Sequence, residues 1–291
     1  DSTGIALGNL IIQSGSPLQE NNYIGMRKTI GFDEWFSHIP SQWHSNKFIS
    51  ATGSGDSART SSLISLIKDD DNKLFMAAYG VFTGGDTDDR RSVGVSTSED
   101  FGETWTEFNI LPFTLVREYA QAQGANPDSV AFVYNQDFVV LNNGDYSFAM
   151  YLREYNDSRE TDSLNIKQIV EVYWENGVWG VRKVADLTGL WVPYFEEGDQ
   201  TQASLANNQL QNEIQISRTV DGNNVVIKWI DLLGAVHNWD EGTFTWETSD
   251  IYCSTRNIAS STWSESQNLT NSNAVDRITW IPDMLPDNLN I

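Results

Sequence analysis

Short apolar runs separated by polar turns recur along the whole chain. Leu63-Ile64-Ser65-Leu66-Ile67 and Leu74-Phe75-Met76-Ala77-Ala78-Tyr79 flank the polar string Asp69-Asp70-Asp71-Asn72, and Ser92-Val93-Gly94-Val95-Ser96 follows. The pattern returns as Val130 to Val133, Phe138 to Leu141, the turn Asn142-Asn143-Gly144-Asp145, and Tyr146 to Leu152. Ile169 to Trp174, Glu175-Asn176-Gly177 and Val178 to Val181 continue it. A further copy runs Glu213 to Ser217, Asp221-Gly222-Asn223-Asn224, Val225 to Ile230 and Asp250 to Thr255. Runs of this length between Asp/Asn/Gly turns predict strands joined in hairpins. Sustained helical periodicity is missing; the best helical stretch is the short Val116 to Gly124.

Each group of runs leads to a Trp, at positions 35, 105, 179 and 263. These lie 70, 74 and 84 residues apart, whereas a four-stranded blade needs roughly 40–50. The excess falls in loops such as 83–91, 114–128, 154–166, 190–210 and 232–249, and loops that long often carry function.

Residues 98 to 105 read Ser98-Glu99-Asp100-Phe101-Gly102-Glu103-Thr104-Trp105. This S-x-D-x-G-x-T-W string resembles the Asp-box of sialidases and related BNR-type β-propellers. Asp100 suits a turn in which its carboxylate accepts backbone N–H bonds, Gly102 supplies a φ that other residues resist, and Trp105 is an apolar anchor under the turn. The corresponding stretch of the last copy, Arg256 to Ser261, lacks the Asp and Gly. The resemblance implies an all-β fold, a β-propeller of four-stranded antiparallel blades. About four blades are visible, with a truncated larger propeller as one reading of the C-terminus. The expected division is one propeller domain over 1–291: a partial blade at 1–48, blades at about 49–115, 116–190 and 191–272, and a partial blade at 273–291.

Composition narrows the function classes. With 40 acidic against 18 basic residues the formal charge is −22, which argues against nucleic-acid and anionic-membrane partners. The single cysteine, Cys253, lies in an apolar run and reads as a small buried hydrophobe. Asp86, Asp88 and Asp89 are the candidate ligands for a calcium ion, against the alternative of solvated loop charge.

The resemblance implies three arginines, a Tyr–Glu pair and an Asp for a sialidase-type site. The Arg-Ile-Pro motif of that family is missing; the nearest string is His38-Ile39-Pro40. Arg27, Arg59, Arg153, Arg218 and Arg256 lie on or beside predicted strands with no triad spacing, and Arg153-Glu154-Tyr155 and Glu213 are the first places to look for the rest. No catalytic set assembles from the sequence. The expectation is a secreted or cell-surface, non-catalytic propeller recognising a glycan or protein. The alternatives are a sialidase-like glycoside hydrolase and an accessory subunit of a surface assembly. Trp191, Tyr194, Trp239 and Trp246, in the two longest insertions, are the candidate binding residues.

Overall fold

A computed structural model describes residues 3–14, 19–30, 34–38, 63–82, 90–154, 166–188, 213–233, 236–238, 243–245, 248–274, 276 and 280–288. Within these the chain is all-β with one helix, built of antiparallel sheets of the propeller-blade type.

The N-terminal sheet is a three-strand meander of β1 (Thr3–Ser14), β2 (Gln19–Ile30) and β3 (Glu34–His38). Trp35, second in β3, stands opposite Thr29. The next sheet orders β4 (Leu63–Lys68), β5 (Leu74–Val81), β6 (Arg91–Ser98) and β7 (Asn109–Ile110) side by side. The third orders β8 (Val130–Val140), β9 (Tyr146–Glu154), β10 (Lys167–Glu175) and β11 (Val178–Asp186) in the same way. The fourth runs β12 (Gln215–Thr219), β13 (Asn224–Leu233), β16 (Thr248–Asn257) and β17 (Gln267–Asn268). Between its second and third members stands a small hairpin, β14 (Val236–Asn238) with β15 (Thr243–Thr245).

Strands β5 and β9 are apolar along almost their whole length and are buried on both faces. That burial explains why they read as continuous apolar runs rather than as alternating ones. In one of two compact units, Leu74, Met76, Ala78 and Phe82 of this core enclose Trp105 and Phe108. The helix α1 (Phe113–Ala122) stops at Gly124, whose φ of 83° lets the Gly124 and Ala125 N–H groups turn back to the carbonyls of Gln121 and Ala120.

Three of the recurring Trp residues hold equivalent places. Trp105, Trp179 and Trp263 each follow the turn between the third and fourth strands of their sheet. Trp105 and Trp179 are buried, and Trp263 is half-buried.

The last described stretch takes an unexpected partner. Closure of a small ring would set residues 277–282 beside β1 or β2; of these, 277–279 lie outside the described residues. Instead β18 (Met284–Leu285) pairs in parallel with β12. Ser217 Oγ donates to the Pro282 carbonyl, Ile281 N–H to Gln215 Oε1, and Asp221 N–H to Asp287 at 2.7 Å. The segment thus lies along the otherwise open edge of β12, satisfying backbone groups that an edge strand leaves bare.

Candidate functional site

Strand direction alternates in each four-strand sheet, so the turn between strands one and two and the turn between strands three and four share one end. Three contacts record this. Lys73 pairs with Glu99 at 3.3 Å, Asn176 N–H donates to Asp145, and Ile258 N–H donates to the Asn223 carbonyl. The ends of the strands joined by the long connections 82–90, 155–166 and 234–247 are at the other end of their sheets.

At the turn end, the string read as an Asp-box closes on itself. Asp100 Oδ1 accepts from the Thr104 N–H and the Ser98 hydroxyl, both at 2.8 Å, and Oδ2 accepts the Thr104 hydroxyl at 2.6 Å. Ser98 Oγ in turn accepts the Gly102 N–H. Phe101 and Gly102 sit at φ 55° and 83°. Trp105 is 4% exposed and donates its indole N–H to the Gly102 carbonyl. The Thr104 bonds hold the Asp100 carboxyl down at about 2. The side chains of Ser98, Asp100 and Thr104 all bond within their own turn, so the motif is a structural clasp. Asp100→Ala is expected to cost about 1–2 kcal/mol through the lost turn bonds. That contribution is complete above pH ~4, where the unfolded-state carboxyl is ionised, and fades as pH falls through about 2. A chemical-denaturation series in pH checks both, and an effect that grew toward pH 2 would contradict it.

The last sheet repeats the clasp by other means. Ser254 and Thr255 hold Ser264 as Ser96 and Thr97 hold Thr106: Thr97 N–H donates to Thr106 Oγ1 at 2.9 Å, and Thr255 N–H to Ser264 Oγ at 3.0 Å. In this register Arg256 stands where the first copy has Ser98. Its guanidinium donates to the carbonyls of Ile258 and Ser260 inside the turn. The charge is balanced by Glu171 of β10, bidentate at 3.0 and 2.7 Å, with both side chains wholly buried. Glu171 also takes the Ser147 hydroxyl, the Trp263 indole N–H and, at 3.3 Å, the Arg182 guanidinium. Two arginines are thereby committed to one structural carboxylate rather than to a ligand. Arg153 and Arg218 lie on β9 and β12, and the side chains of Arg27 and Arg59 lie outside the described residues.

The chemically unsettled cluster lies at the first strands of the third and fourth sheets. Asp137 on β8 accepts the Ile216 N–H of β12 at 3.0 Å. Burial pushes its carboxyl up to about 6, against the pull of the Ile216 and Phe138 N–H bonds, with Asp283 adding repulsion and Lys228 attraction. Lys228 of β13 stands opposite Gln215 and Cys253. It is 2% exposed, and its Nζ has no hydrogen-bond partner. Burial pushes its ammonium down, opposed by attraction to Glu213 and Asp137. Glu213, half-buried just before β12, has a φ of 41°, unusual for a side chain of its kind. Glu213 was among the residues the sequence pointed to; Asp137 and Lys228 were not. The signal was there: a Lys inside Val225-Val226-Ile227-Lys228-Trp229-Ile230, and an Asp before Phe138-Val139-Val140.

Other sequence candidates fare differently. Glu154 is buried and accepts the Asn126 N–H, while its neighbour Tyr155 lies outside the described residues. Trp191 and Tyr194, the side chains of Trp239 and Trp246, and Asp86, Asp88 and Asp89 also lie outside them. Cys253 is buried, and burial pushes its thiol up, as befits a packed hydrophobe. Asp69, Asp71, Lys73, Glu99 and the turn Asn142–Gly144 line a cleft of about 430 Å³ at the turn end. Asp69 there accepts the Asp71 and Lys73 N–H groups, so it closes its own turn. Among the described residues, no group of three or more His, Cys, Asp or Glu is arranged to hold a metal.

No family model matches the chain, and no curated protein does. Among solved structures, the polysaccharide lyase Uly1 is 14% identical with a TM-score of 0.47, over 94% of this chain and 52% of that one. The Hadza microbial sialidase Hz136 is 12% identical with a TM-score of 0.38, over 87% and 53%. The α-L-arabinanase of Penicillium chrysogenum is 10% identical with a TM-score of 0.37, over 78% and 67%. The chain spans about half the length of the first two.

Proposed function

We propose that this protein is a secreted or cell-surface propeller that recognises a glycan or protein partner without catalysis. The observation that carries the reading is the segregation of connections. In the third and fourth sheets the connections at one end, 155–166 and 234–247, are longer than the turns at the other. A rigid sheet that anchors long connections at one end lowers the ordering cost of binding through them. Trp239 and Trp246 lie in the second of these, and Trp191 and Tyr194 in the stretch between β11 and β12. Replacing Trp191, Trp239 and Trp246 together by Ala is expected to abolish binding to a glycan or cell-surface panel and to leave the melting temperature within a few degrees. Intact binding with a lowered melting temperature would assign these residues to packing.

A second reading, a glycoside hydrolase, has one observation in its favour. A general acid works best with a pKa near the operating pH, and Asp137 has been moved that way. Turnover of fluorogenic glycosides that Asp137→Asn abolishes would replace the recognition reading with this one.

A further inference from the structure

Three turns place an Asn or Asp directly before a glycine in the left-handed region: Asn143-Gly144, Asn176-Gly177 and Asp221-Gly222, with glycine φ of 80°, 82° and 70°. Such pairs are chemically labile, because glycine has no Cβ to shield its backbone nitrogen from the preceding side-chain carbonyl. A side chain held in hydrogen bonds cannot swing onto that nitrogen, and two of the three are so held. The Asn143 amide donates to Asp145 Oδ2 at 2.6 Å, and its oxygen accepts the Asp145 N–H at 3.2 Å. Asp221 accepts the Thr219 hydroxyl and both the N–H and the side-chain amide of Asn223. Asn176 differs. Its backbone N–H donates to Asp145 Oδ1, but among the described residues its side-chain amide makes no hydrogen bond. Both Asn176 and Gly177 are exposed. Open space surrounds Gly144 and Gly177 alike, so access does not separate the two pairs; the bonding of the preceding side chain does.

We propose that Asn176 is a site of spontaneous covalent modification, converted to aspartate and isoaspartate by attack of the Gly177 nitrogen, while Asn143 is protected. The Gly177 N–H loses its proton to a solvent base, and the nitrogen bonds to Cγ of Asn176. The bond from Cγ to the amide nitrogen breaks; that nitrogen takes up a proton and leaves as ammonia. A cyclic succinimide remains, and water opens it. Cleavage between the ring nitrogen and Cγ gives aspartate, whereas cleavage between the ring nitrogen and the main-chain carbonyl carbon gives isoaspartate. The sum is one water consumed and one ammonia released. Either product adds a negative charge beside Asp145, whose carboxylate already faces the N–H of residue 176 at 3.2 Å. Isoaspartate also lengthens the main chain by one methylene in a turn that leads directly to the buried Trp179. The Trp179 indole donates to Asn109 Oδ1 at 3.0 Å and lies edge-on to Tyr146 and Trp174, so the change loosens a packed aromatic cluster.

The test is peptide mapping by mass spectrometry of the full chain aged at mildly alkaline pH, folded in one series and unfolded in urea in the other. Each event exchanges an amide for an acid, which the mass resolves, and enzymatic methylation counts the isoaspartate. In the unfolded chain both asparagines precede a glycine and are expected to react at similar rates. In the folded chain position 176 is expected to react roughly tenfold or more faster than position 143, the factor set by the net worth of the hydrogen bonds that Asn143 must break. Asp145→Ala removes the acceptor of the Asn143 amide and is expected to narrow that ratio. Should this variant fail to fold, the folded and unfolded wild-type series decide between themselves. Equal rates at the two positions in the folded chain, or a faster rate at 143, overturn the inference. So does a position 176 that stays unchanged on ageing. The folded-chain ratio reappearing in urea overturns it as well, because the cause would then be the local sequence and not the fold.

Discussion

Removing the Glu171 carboxylate is expected to produce the largest loss of stability of any single substitution described for this chain. Glu171→Ala should cost about 3–5 kcal/mol, read as a drop in denaturation midpoint at unchanged slope. The cost arises less from the bonds themselves than from what is left behind. Arg256 is 1% exposed, and without Glu171 its guanidinium loses both bonds of the bidentate pair, leaving the Ile258 and Ser260 carbonyls and the Trp263 ring against its charge. Arg182, 12% exposed in its side chain, loses its 3.3 Å partner but keeps the Tyr173 ring, 3.5 Å from the guanidinium carbon. The Ser147 hydroxyl and the Trp263 indole N–H lose acceptors as well. Adding Arg256→Met to Glu171→Ala should recover much of the loss, because the orphaned charge goes with it. A single-variant cost below about 1 kcal/mol would show that water already reaches the pair.

Asp137→Asn is expected to act in the opposite direction. The folded-state pKa of about 6 lies above the unfolded value near 4, so the folded state favours the protonated form. The group's stabilising contribution is therefore full below pH ~4 and is lost as pH rises through about 6. A two-unit displacement corresponds to about 3 kcal/mol at neutral pH. Asn removes the burdened charge and keeps an oxygen for the Ile216 N–H, but deprives Lys228 of an attractive neighbour, which trims the gain to about 2 kcal/mol. Melting curves from pH 4 to pH 8 should show variant and wild type converging at the acid end, separating as pH rises from 4 to 6, and staying apart above it. A variant less stable than wild type at pH 8 would mean that the ionised carboxylate is supported by more than the Ile216 and Phe138 N–H groups and Lys228.

What was legible in the sequence was local. The turn from Ser98 to Trp105 is held by bonds between residues two to four apart, so its residue types announce it. The same holds for Asp221, which accepts the Thr219 hydroxyl and the Asn223 N–H. The helix showed as a short stretch because its Gly124 stop lies within one turn of its last residues. The candidate site was legible only at Glu213. Asp137 reaches a partner 79 residues on, and Glu171 one 85 residues on. Such pairs become neighbours only when whole sheets stack, and strand periodicity carries no sign of it. The sequence shows Arg256 only as one of five arginines without triad spacing, at an eroded turn, since nothing near it in the chain supplies its acid.

The contrast between the two clasps bears on the order in which the chain acquires its structure. The turn at Asp100 draws every partner from eight consecutive residues, so it costs little loop-closure entropy and forms as soon as β6 has a neighbour. The turn at Arg256 cannot settle until Glu171 has been delivered by a strand made much earlier in synthesis. The first clasp belongs to the nucleus of its own sheet, whereas the second is a checkpoint that closes only on a correctly stacked predecessor. Unfolding from the native state should then begin where the checkpoint is, with the last sheet parting before the turn at Asp100 opens.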